Sequence, residues 1–170
     1  ALPISGGTGA DTINFATAST KAHVITLGDG ANAVNGGTNG NGGLTVTGGS
    51  GVDNIATGSG ADIINGGLGN DIIASGTGLD LVTGGGGNDT YTFVANSNGN
   101  IYTTITDANV GDVLTFVDHG TEVFVSAKVT LAGTAVYQDY LNQAASGDGG
   151  TTNSRISWFQ FGGDTYVVED

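Results

Sequence analysis

One nine-residue pattern runs through the middle of the chain and constrains its fold more than any other feature. Aspartate recurs at every ninth position from 53 to 89, each time behind a glycine-rich segment. The consensus is G-G-x-G-x-D-x-U-x, where U is a large apolar residue, and its copies start at Gly6, Gly48, Thr57, Gly66, Ser75 and Gly84. Such regular spacing is typical of a repeat fold, in which each unit stacks on its neighbours.

The two parts of each copy favour different backbone conformations. The first six residues favour turns, because glycine accepts positive φ angles, and the last three favour a short strand. Two copies then complete one coil, so we expect an all-β parallel β-roll in which each copy stacks on the copy two places earlier, about 4.8 Å away. The aspartates form two columns on opposite edges, with Asp53, Asp71 and Asp89 in one and Asp62 and Asp80 in the other.

Upstream of Gly48 the pattern continues with a longer period. A spacing of 21 residues links Gly6 to Leu27 and Gly48, and Phe15 to Gly36 and Thr57. In this register Asn32 and Asn41 stand in the aspartate place. Alternation along the longer strands places His23 over Leu44 and Ile25 over Val46. We expect one edge of the roll to follow positions 6, 27, 48, 66 and 84, and the other to follow 15, 36, 57 and 75.

Acidic residues dominate the charge of the chain. Sixteen Asp and Glu face three Lys and Arg, which gives a net charge of −13. Binding to nucleic acid or to an anionic membrane needs basic residues, so these partners are not expected, whereas cations are. No apolar stretch of about 18 residues is present, which argues against a membrane span. The absence of cysteine excludes a disulfide scaffold and a thiolate-bound metal.

The repeat needs a ligand to hold its fold. One large apolar side chain per nine residues does not offset the conformational entropy that ordering those residues costs. Stacked carboxylates also repel one another, by about 3–4 kcal/mol at an effective dielectric of ~20. A hard divalent cation reverses this balance, and carboxylate and carbonyl oxygens in a shell of about 6–8 ligands favour calcium over magnesium. Calcium binding would then supply folding free energy.

The consensus resembles the RTX family of calcium-binding nonapeptide-repeat proteins, most closely over residues 48–92, with an outlying copy at Gly6. In that family one turn supplies the carbonyls of its second and fourth residues and its aspartate. The turn two copies later supplies the carbonyls of its first and third residues and its aspartate. The implied ligand sets are Gly49, Gly51 and Asp53 with Gly66, Leu68 and Asp71; Gly58, Gly60 and Asp62 with Ser75, Thr77 and Asp80; and Gly67, Gly69 and Asp71 with Gly84, Gly86 and Asp89.

The longer register adds implied sites in which asparagine replaces aspartate. They are Gly7, Gly9 and Asp11 with Leu27, Asp29 and Asn32; Gly28, Gly30 and Asn32 with Gly48, Ser50 and Asp53; and Gly37, Asn39 and Asn41 with Thr57, Ser59 and Asp62. We expect these sites to be weaker or partly empty, because an amide carries no charge. The alternative is that glycine and asparagine serve only turn geometry there.

After Phe93 ordinary strand patterns replace the repeat. We expect two domains, the roll at 1–92 and a β-rich, secretion-associated cap at 93–170. The cap would contain one short helix, in which Val136, Tyr140 and Ala144 recur four apart. A hairpin is predicted around Gly162 and Gly163.

Two segments of this second part carry further resemblances. The segment ITDANVGDVLTF resembles the aspartate-rich strand that follows the repeats in RTX proteins, which makes Asp107 and Asp112 candidate ligands of the last calcium site. The chain from Tyr137 onward resembles the carboxyl-terminal region of RTX-type bacterial surface-layer proteins exported by type I secretion. That resemblance implies a secreted, extracellular protein at the bacterial cell surface. A generic cap is the alternative interpretation.

Three classes of function are compatible with these observations. We favour a calcium-dependent, self-assembling surface-layer protein. The second class is the calcium-triggered folding and secretion module of a larger type I-secreted enzyme, toxin or adhesin, since the chain begins without Met and we expect it to be a piece of a longer polypeptide. An ice-binding region is disfavoured, because the third repeat positions form no threonine ladder. No P-loop, HExxH or GxSxG motif occurs, and His23 and His119 stand alone, so we expect no catalysis.

Overall fold

A computed structural model of the chain describes residues 3–15, 20–37, 42–94, 102–116, 123–124, 128–131, 133–136, 139 and 155–169. The described strands form three sheets. Two six-stranded sheets lie in the first part of the chain, and the chain alternates between them. The result is a parallel β-roll of about five turns, as the repeat predicted.

The strands of each sheet follow one another in steps of two along the chain. Sheet A contains, in spatial order, β1 (Ile4–Ser5), β3 (His23–Asp29), β5 (Leu44–Ser50), β7 (Ile63–Leu68), β9 (Asp80–Gly86) and β11 (Thr103–Ile105). Sheet B contains β2 (Thr12–Asn14), β4 (Ala33–Asn35), β6 (Asn54–Ala56), β8 (Ile72–Gly76), β10 (Thr90–Phe93) and β12 (Val113–Phe116). Neighbouring strands of both sheets pair in parallel.

The strand pairing confirms both predicted periods. Ile55 pairs with Ile73, and Ile64 with Val82, which is the step of two nonapeptides. Earlier in the chain His23 pairs with Leu44, and Ile25 with Val46, as the 21-residue period predicted. The other edge keeps the longer step as well, since the N–H of Phe15 donates to the carbonyl of Asn35 and the N–H of Gly36 donates to that of Ala56.

A single stack of apolar side chains fills the space between the two sheets. Because side chains alternate along a strand, the eighth residue of each repeat points inward and its neighbours point outward. Ile64 is 1% exposed, whereas the adjacent Ile63 is 52% exposed. The buried hydrophobic residues are Ile25, Leu27, Val34, Leu44, Val46, Ile55, Ile64, Ile73, Val82 and Tyr91.

The roll continues past the last nonapeptide. Strand β11 pairs with β9, and strand β12 pairs with β10, where the rings of Phe93 and Phe116 lie 5.3 Å apart. The chain divides into two compact units, residues 1–117 and 118–170. The domain boundary proposed from the sequence, between residues 92 and 93, therefore falls inside the first unit.

The second unit contains the third sheet. Strand β13 (Val123–Phe124) pairs in parallel with β14 (Arg155–Phe161), and β14 pairs in antiparallel fashion with β15 (Asp164–Glu169). The hairpin between β14 and β15 turns at Gly162 and Gly163, whose φ angles are +64° and +102°. The hairpin thus forms around the two glycines identified in the sequence.

Some expectations for the second unit fall on residues that the structure does not describe. Tyr140 and Ala144 of the predicted helix and the isolated His119 are among them. The capping role of this unit stays a prediction. No helix among the described residues is long and apolar enough to cross a membrane.

The inward and outward isoleucines of β7 provide a matched test of the fold. We expect Ile64→Ala to lower the free energy of unfolding at saturating calcium by about 2–5 kcal/mol, because it leaves a cavity in the apolar stack. Ile63→Ala removes the same atoms from the surface and should have a much smaller effect. Denaturant unfolding followed by far-UV circular dichroism would measure both. Equal losses for the two variants would contradict the inward stacking of the eighth residue.

Candidate metal centre

Aspartate side chains connect successive coils along one edge of the roll. The N–H of Asp53 donates to Oδ1 of Asp71 at 2.8 Å, and the N–H of Asp71 donates to Oδ1 of Asp89 at 2.9 Å. The same bond recurs along the whole column. We call this column the first ladder, and its members are Asp11, Asn32, Asp53, Asp71, Asp89 and Asp112.

A second, shorter ladder lies on the opposite edge. The N–H of Asp62 donates to Oδ1 of Asp80 at 3.0 Å, and the N–H of Leu44 donates to Oδ1 of Asp62 at 2.7 Å. The hydroxyl of Thr103 donates to Oδ2 of Asp80 at 3.3 Å and ends this ladder. Sequence analysis missed Thr103, because its only signal is its place in a strand that continues sheet A.

Three aspartates of the two ladders each have a second carboxylate oxygen that lacks a hydrogen-bond donor. The Oδ2 atoms of Asp53, Asp62 and Asp71 are buried and accept no hydrogen bond among the described residues. A buried carboxylate oxygen without a donor is costly, since burial removes the water that would otherwise solvate it. Each of these aspartates therefore offers one free acceptor in the roll interior.

The glycines at the first position of the repeat leave space for these oxygens. A Cβ atom on Gly48 would collide with the carbonyl oxygen of Gly66 and with Oδ2 of Asp53. One coil later, a Cβ atom on Gly66 would meet Oδ2 of Asp71 and the carbonyl oxygen of Gly84. Beside each of these two glycines, a carboxylate oxygen and a carbonyl oxygen of the next coil thus border the same small space. Oxygens of these two kinds are ligands that calcium prefers.

The glycines at the second and fourth positions bring further carbonyls close to the next coil. Gly67 and Gly69 have φ angles of +109° and +134°. A Cβ atom on Gly67 would collide with the carbonyl oxygen of Gly49, and one on Gly69 would collide with that of Gly51. Glycine is needed here both for the positive φ angle and for this close approach.

The structure brings together the residues of all three implied aspartate sites. For the site between Gly49 and Asp71, the N–H of Gly51 donates to the carbonyl of Leu68 at 2.8 Å. On the other edge the N–H of Gly60 donates to the carbonyl of Thr77 at 3.1 Å. For the third site, the N–H of Gly69 donates to the carbonyl of Gly86 at 2.7 Å. A carbonyl oxygen has two lone pairs, so one such bond leaves capacity for an ion.

The implied sites with asparagine differ from one another. The N–H of Asp29 donates to the carbonyl of Gly7 at 3.0 Å, so the first of these sites is assembled across two coils. The N–H of Gly30 donates to the carbonyl of Ser50 at 2.8 Å, which brings the second together. In that site the Asn32 amide donates to the carbonyls of its own repeat.

The third asparagine site takes a different form from the one that the sequence suggested. Asn39 and Asn41 lie outside the described residues. The repeat alignment placed Asn41 before Asp62 in the second ladder. In the structure the residue there is Leu44, whose N–H donates to Asp62. The reason is the register, because the extra residues of this coil fall between Gly36 and Leu44, ahead of strand β5.

Asp107 and Asp112 close the first edge of the roll. Both oxygens of Asp107 accept backbone N–H groups, from Gly84 at 2.9 Å and from Gly85 at 2.8 Å. Oδ1 of Asp112 accepts the N–H of Asp89 at 2.8 Å, and its Oδ2 accepts that of Asn109 at 2.7 Å. The two candidate ligands thus satisfy backbone donors that the last nonapeptide coil would otherwise leave unpaired.

Tyr91 brings a polar group to the same end of the roll. It occupies the apolar eighth position, but its hydroxyl lies where a Cβ atom of Gly84 would be, beside Oδ2 of Asp89. Burial, followed by the charges of Asp107, Asp112 and Asp89, raises the pKa of this hydroxyl. In the sequence, this role is indicated by Tyr91 itself, because the other copies have isoleucine or valine at the eighth position.

Burial also shifts five of the ladder carboxyls toward the protonated form. It is the largest cause of a raised pKa at Asp53, Asp62, Asp71, Asp80 and Asp89. Burial raises the pKa of Asp71 to about 6; the N–H of Asp53 opposes this rise, and the charges of Asp53 and Asp89 add to it. Without a cation, the charged forms of these buried carboxyls therefore destabilise the folded roll at neutral pH.

Side chains alone do not form a metal site here. No group of three or more His, Cys, Asp or Glu side chains among the described residues is placed to hold a metal ion. Backbone carbonyls must therefore complete any shell, as they do in oxygen-rich calcium sites. The facing carboxylate and carbonyl oxygens fit that requirement.

Comparison with known families agrees with this geometry. A family model of the RTX calcium-binding nonapeptide repeat matches residues 47–82 and 66–93, in four copies. The roll carries RTX repeats. RTX repeats bind calcium and are typical of secreted bacterial proteins. Searches of curated proteins and of solved structures gave no match.

Two aspartates of the first ladder differ in the number of sites that they are expected to serve. Asp71 belongs to two implied RTX sites and is 1% exposed, whereas Asp11 belongs to one and is only partly buried. We expect Asp71→Ala to raise the calcium concentration at half-folding several-fold more than Asp11→Ala does. Circular dichroism during a calcium titration would measure both midpoints. Equal shifts would contradict the sharing of Asp71 between two ions.

The raised pKa values predict opposite effects of acid with and without calcium. The ladder carboxyls bind protons more tightly in the folded chain than in the unfolded chain, so the calcium-free roll gains stability as the pH falls. It loses this stability as the pH rises through the pKa of Asp71, about 6. In a chelator we expect more β signal at pH 5 than at pH 7. In calcium, acid should raise the calcium midpoint, since protons compete for the same oxygens. A calcium-free β signal that falls with acid would contradict the burial of these carboxyls.

Proposed function

We propose that this chain is a calcium-dependent structural protein that self-assembles as part of a bacterial surface layer after type I secretion. The observation that carries the proposal is the set of buried carboxylate oxygens without donors, at Asp53, Asp62 and Asp71. Such oxygens need protons or cations, and at neutral pH a cation is the more available partner.

Several calcium ions would bind between stacked turns, in the ligand sets that the RTX resemblance implies. Support for this placement comes from Oδ2 of Asp53, which faces the carbonyl oxygen of Gly66, and from Oδ2 of Asp71, which faces that of Gly84. When bound, calcium supplies the positive charge that a chain with a net charge of −13 lacks. The ladder oxygens then fix the spacing between coils.

The same physics explains why folding would follow export. In a cytoplasm with little free calcium, the buried carboxylates disfavour the roll, and the chain stays open enough for the type I secretion machinery. In a calcium-rich medium the binding free energy becomes folding free energy. RTX repeats are typical of type I-secreted proteins, which supports this order of events and a location outside the cell.

Self-association on the cell surface is the most specific part of the proposal. It is supported by the resemblance of the chain from Tyr137 onward to RTX-type surface-layer proteins. The strands of the roll add a physical argument, because apart from Asp29 their outward-facing residues, such as Ile63 and Asn65, are uncharged. A second copy can approach such a face without bringing carboxylates together. We infer a structural role without catalysis in this chain.

A second candidate is the calcium-triggered folding and secretion module of a larger enzyme, toxin or adhesin. It is favoured by the extent of the family match, which covers the calcium-binding repeats and not the second unit. In that case the roll folds as a monomer, and the activity belongs to another part of a longer polypeptide.

Static light scattering during a calcium titration distinguishes these candidates. For a surface-layer protein we expect mass to grow into large assemblies that a chelator reverses, after the rise in β signal. A compact species of 16.7 kDa at saturating calcium would support the folding and secretion module. A chain whose circular dichroism does not respond to calcium would contradict both.

A further inference from the structure

One coil of the roll has a side-chain amide where the next coil has a carboxylate oxygen. In the first ladder Asn32 accepts the N–H of Asp11 through Oδ1 at 2.9 Å and is 3% exposed. Its Nδ2 donates to the carbonyl of Gly30 at 3.0 Å and to that of Gly28 at 3.3 Å. These are the two carbonyls of the second and fourth positions, which the RTX resemblance assigns to a calcium ion.

The aspartate copies lack this internal donor. In the next copy Oδ2 of Asp53 takes the place of the Asn32 amide nitrogen, and it is buried with no donor. An aspartate therefore adds an acceptor to the carbonyls around it, whereas an asparagine adds two donors. The first arrangement requires a cation, and the second does not.

The first residue of the same repeat supports this difference independently. Where the neighbouring copies have Gly48 and Gly66, this copy has Leu27, which is 0% exposed. On those glycines a Cβ atom would collide with the aspartate Oδ2. In the repeat of Asn32, the Cβ atom of Leu27 therefore occupies the position that has to stay empty beside Asp53 and Asp71 in the later copies.

The longer coils also contain more apolar packing than the aspartate coils. Strands β3 and β5 each bury two apolar side chains, namely Ile25 and Leu27, and Leu44 and Val46. Strand β7 buries one, Ile64, because the position that pairs with Leu44 is Asp62. Each extra buried side chain of this size adds hydrophobic stabilisation to these coils.

We propose that the coil containing Asn32 closes without calcium and forms the edge on which the aspartate coils fold when calcium arrives. This inference rests on the proposed calcium-dependent folding of the roll. On this inference, Gly28, Gly30 and Asn32 are held together by hydrogen bonds and do not bind the implied calcium ion. The backbone N–H of Asn32 already donates to Oδ1 of Asp53 at 2.8 Å, so this coil also orients the first ligand of the next level.

Rebuilding the consensus at this level tests the proposal. The double variant Leu27→Gly/Asn32→Asp restores the first-position glycine and the aspartate. We expect it to bind one more calcium ion per chain than the wild type, counted by equilibrium dialysis at neutral pH. Asn54→Asp is the matched control, since it adds the same charge on an exposed position of the next coil and should leave the count unchanged.

Hydrogen exchange in a chelator gives an independent readout. In the wild type we expect the amides of β4 to exchange at least about tenfold more slowly than those of β8. Asn32→Asp should abolish this protection, and Asn54→Asp should not. Equal exchange of β4 and β8 in the wild type, or an unchanged calcium count in the double variant, would overturn the proposal. A wild type that binds no calcium would instead remove the proposed function, and this inference with it.

The reverse substitution decides the matter if the double variant does not fold. Asp53→Asn supplies a side-chain amide to the neighbouring carbonyls, and Asp53→Ala does not. In a chelator we expect β6 to gain protection at least about tenfold in Asp53→Asn alone. The same exchange rate in both variants would overturn the idea that an amide replaces the ion.

Discussion

The buried aspartate with one satisfied and one unsatisfied oxygen is the interaction on which this roll depends. Oδ1 of every ladder aspartate after Asp11 accepts a backbone N–H of the preceding coil, which fixes the register between coils. Oδ2 is left in the interior without a donor at Asp53, Asp62 and Asp71. The fold and its ligand requirement thus come from the same side chain.

The glycines follow from this requirement. In the first ladder a side chain at Gly48 or Gly66 would occupy the place of Oδ2, and at the second and fourth positions it would collide with carbonyls of the neighbouring coil. What remains for the core is one inward apolar residue per copy, which is too little to hold the ordered chain alone. An ion bound between the turns would supply the stability that this core lacks.

Variation along the roll changes how each level is held. Asn32 satisfies its carbonyls with its own amide, Leu44 brings apolar packing to the second ladder, and Tyr91 brings a hydroxyl beside Asp89. Asp107 and Asp112 close the last coil by accepting backbone N–H groups. A single repeat pattern therefore builds levels whose polar atoms are satisfied in different ways.

Much of this architecture was determined by the sequence alone. The spacing of aspartates and glycines predicted the parallel roll, both coil periods, the pairing of His23 with Leu44 and the two aspartate columns, because a period repeated along a chain fixes which residues stack. The residues of the implied calcium sites come from the resemblance to the RTX family and stay a prediction. Only the tertiary structure decided which polar atoms are satisfied. The bonds of the Asn32 amide, the place of Leu44 before Asp62 and the closing role of Asp107 depend on side-chain directions across coils, and a linear pattern of residue types does not specify those directions.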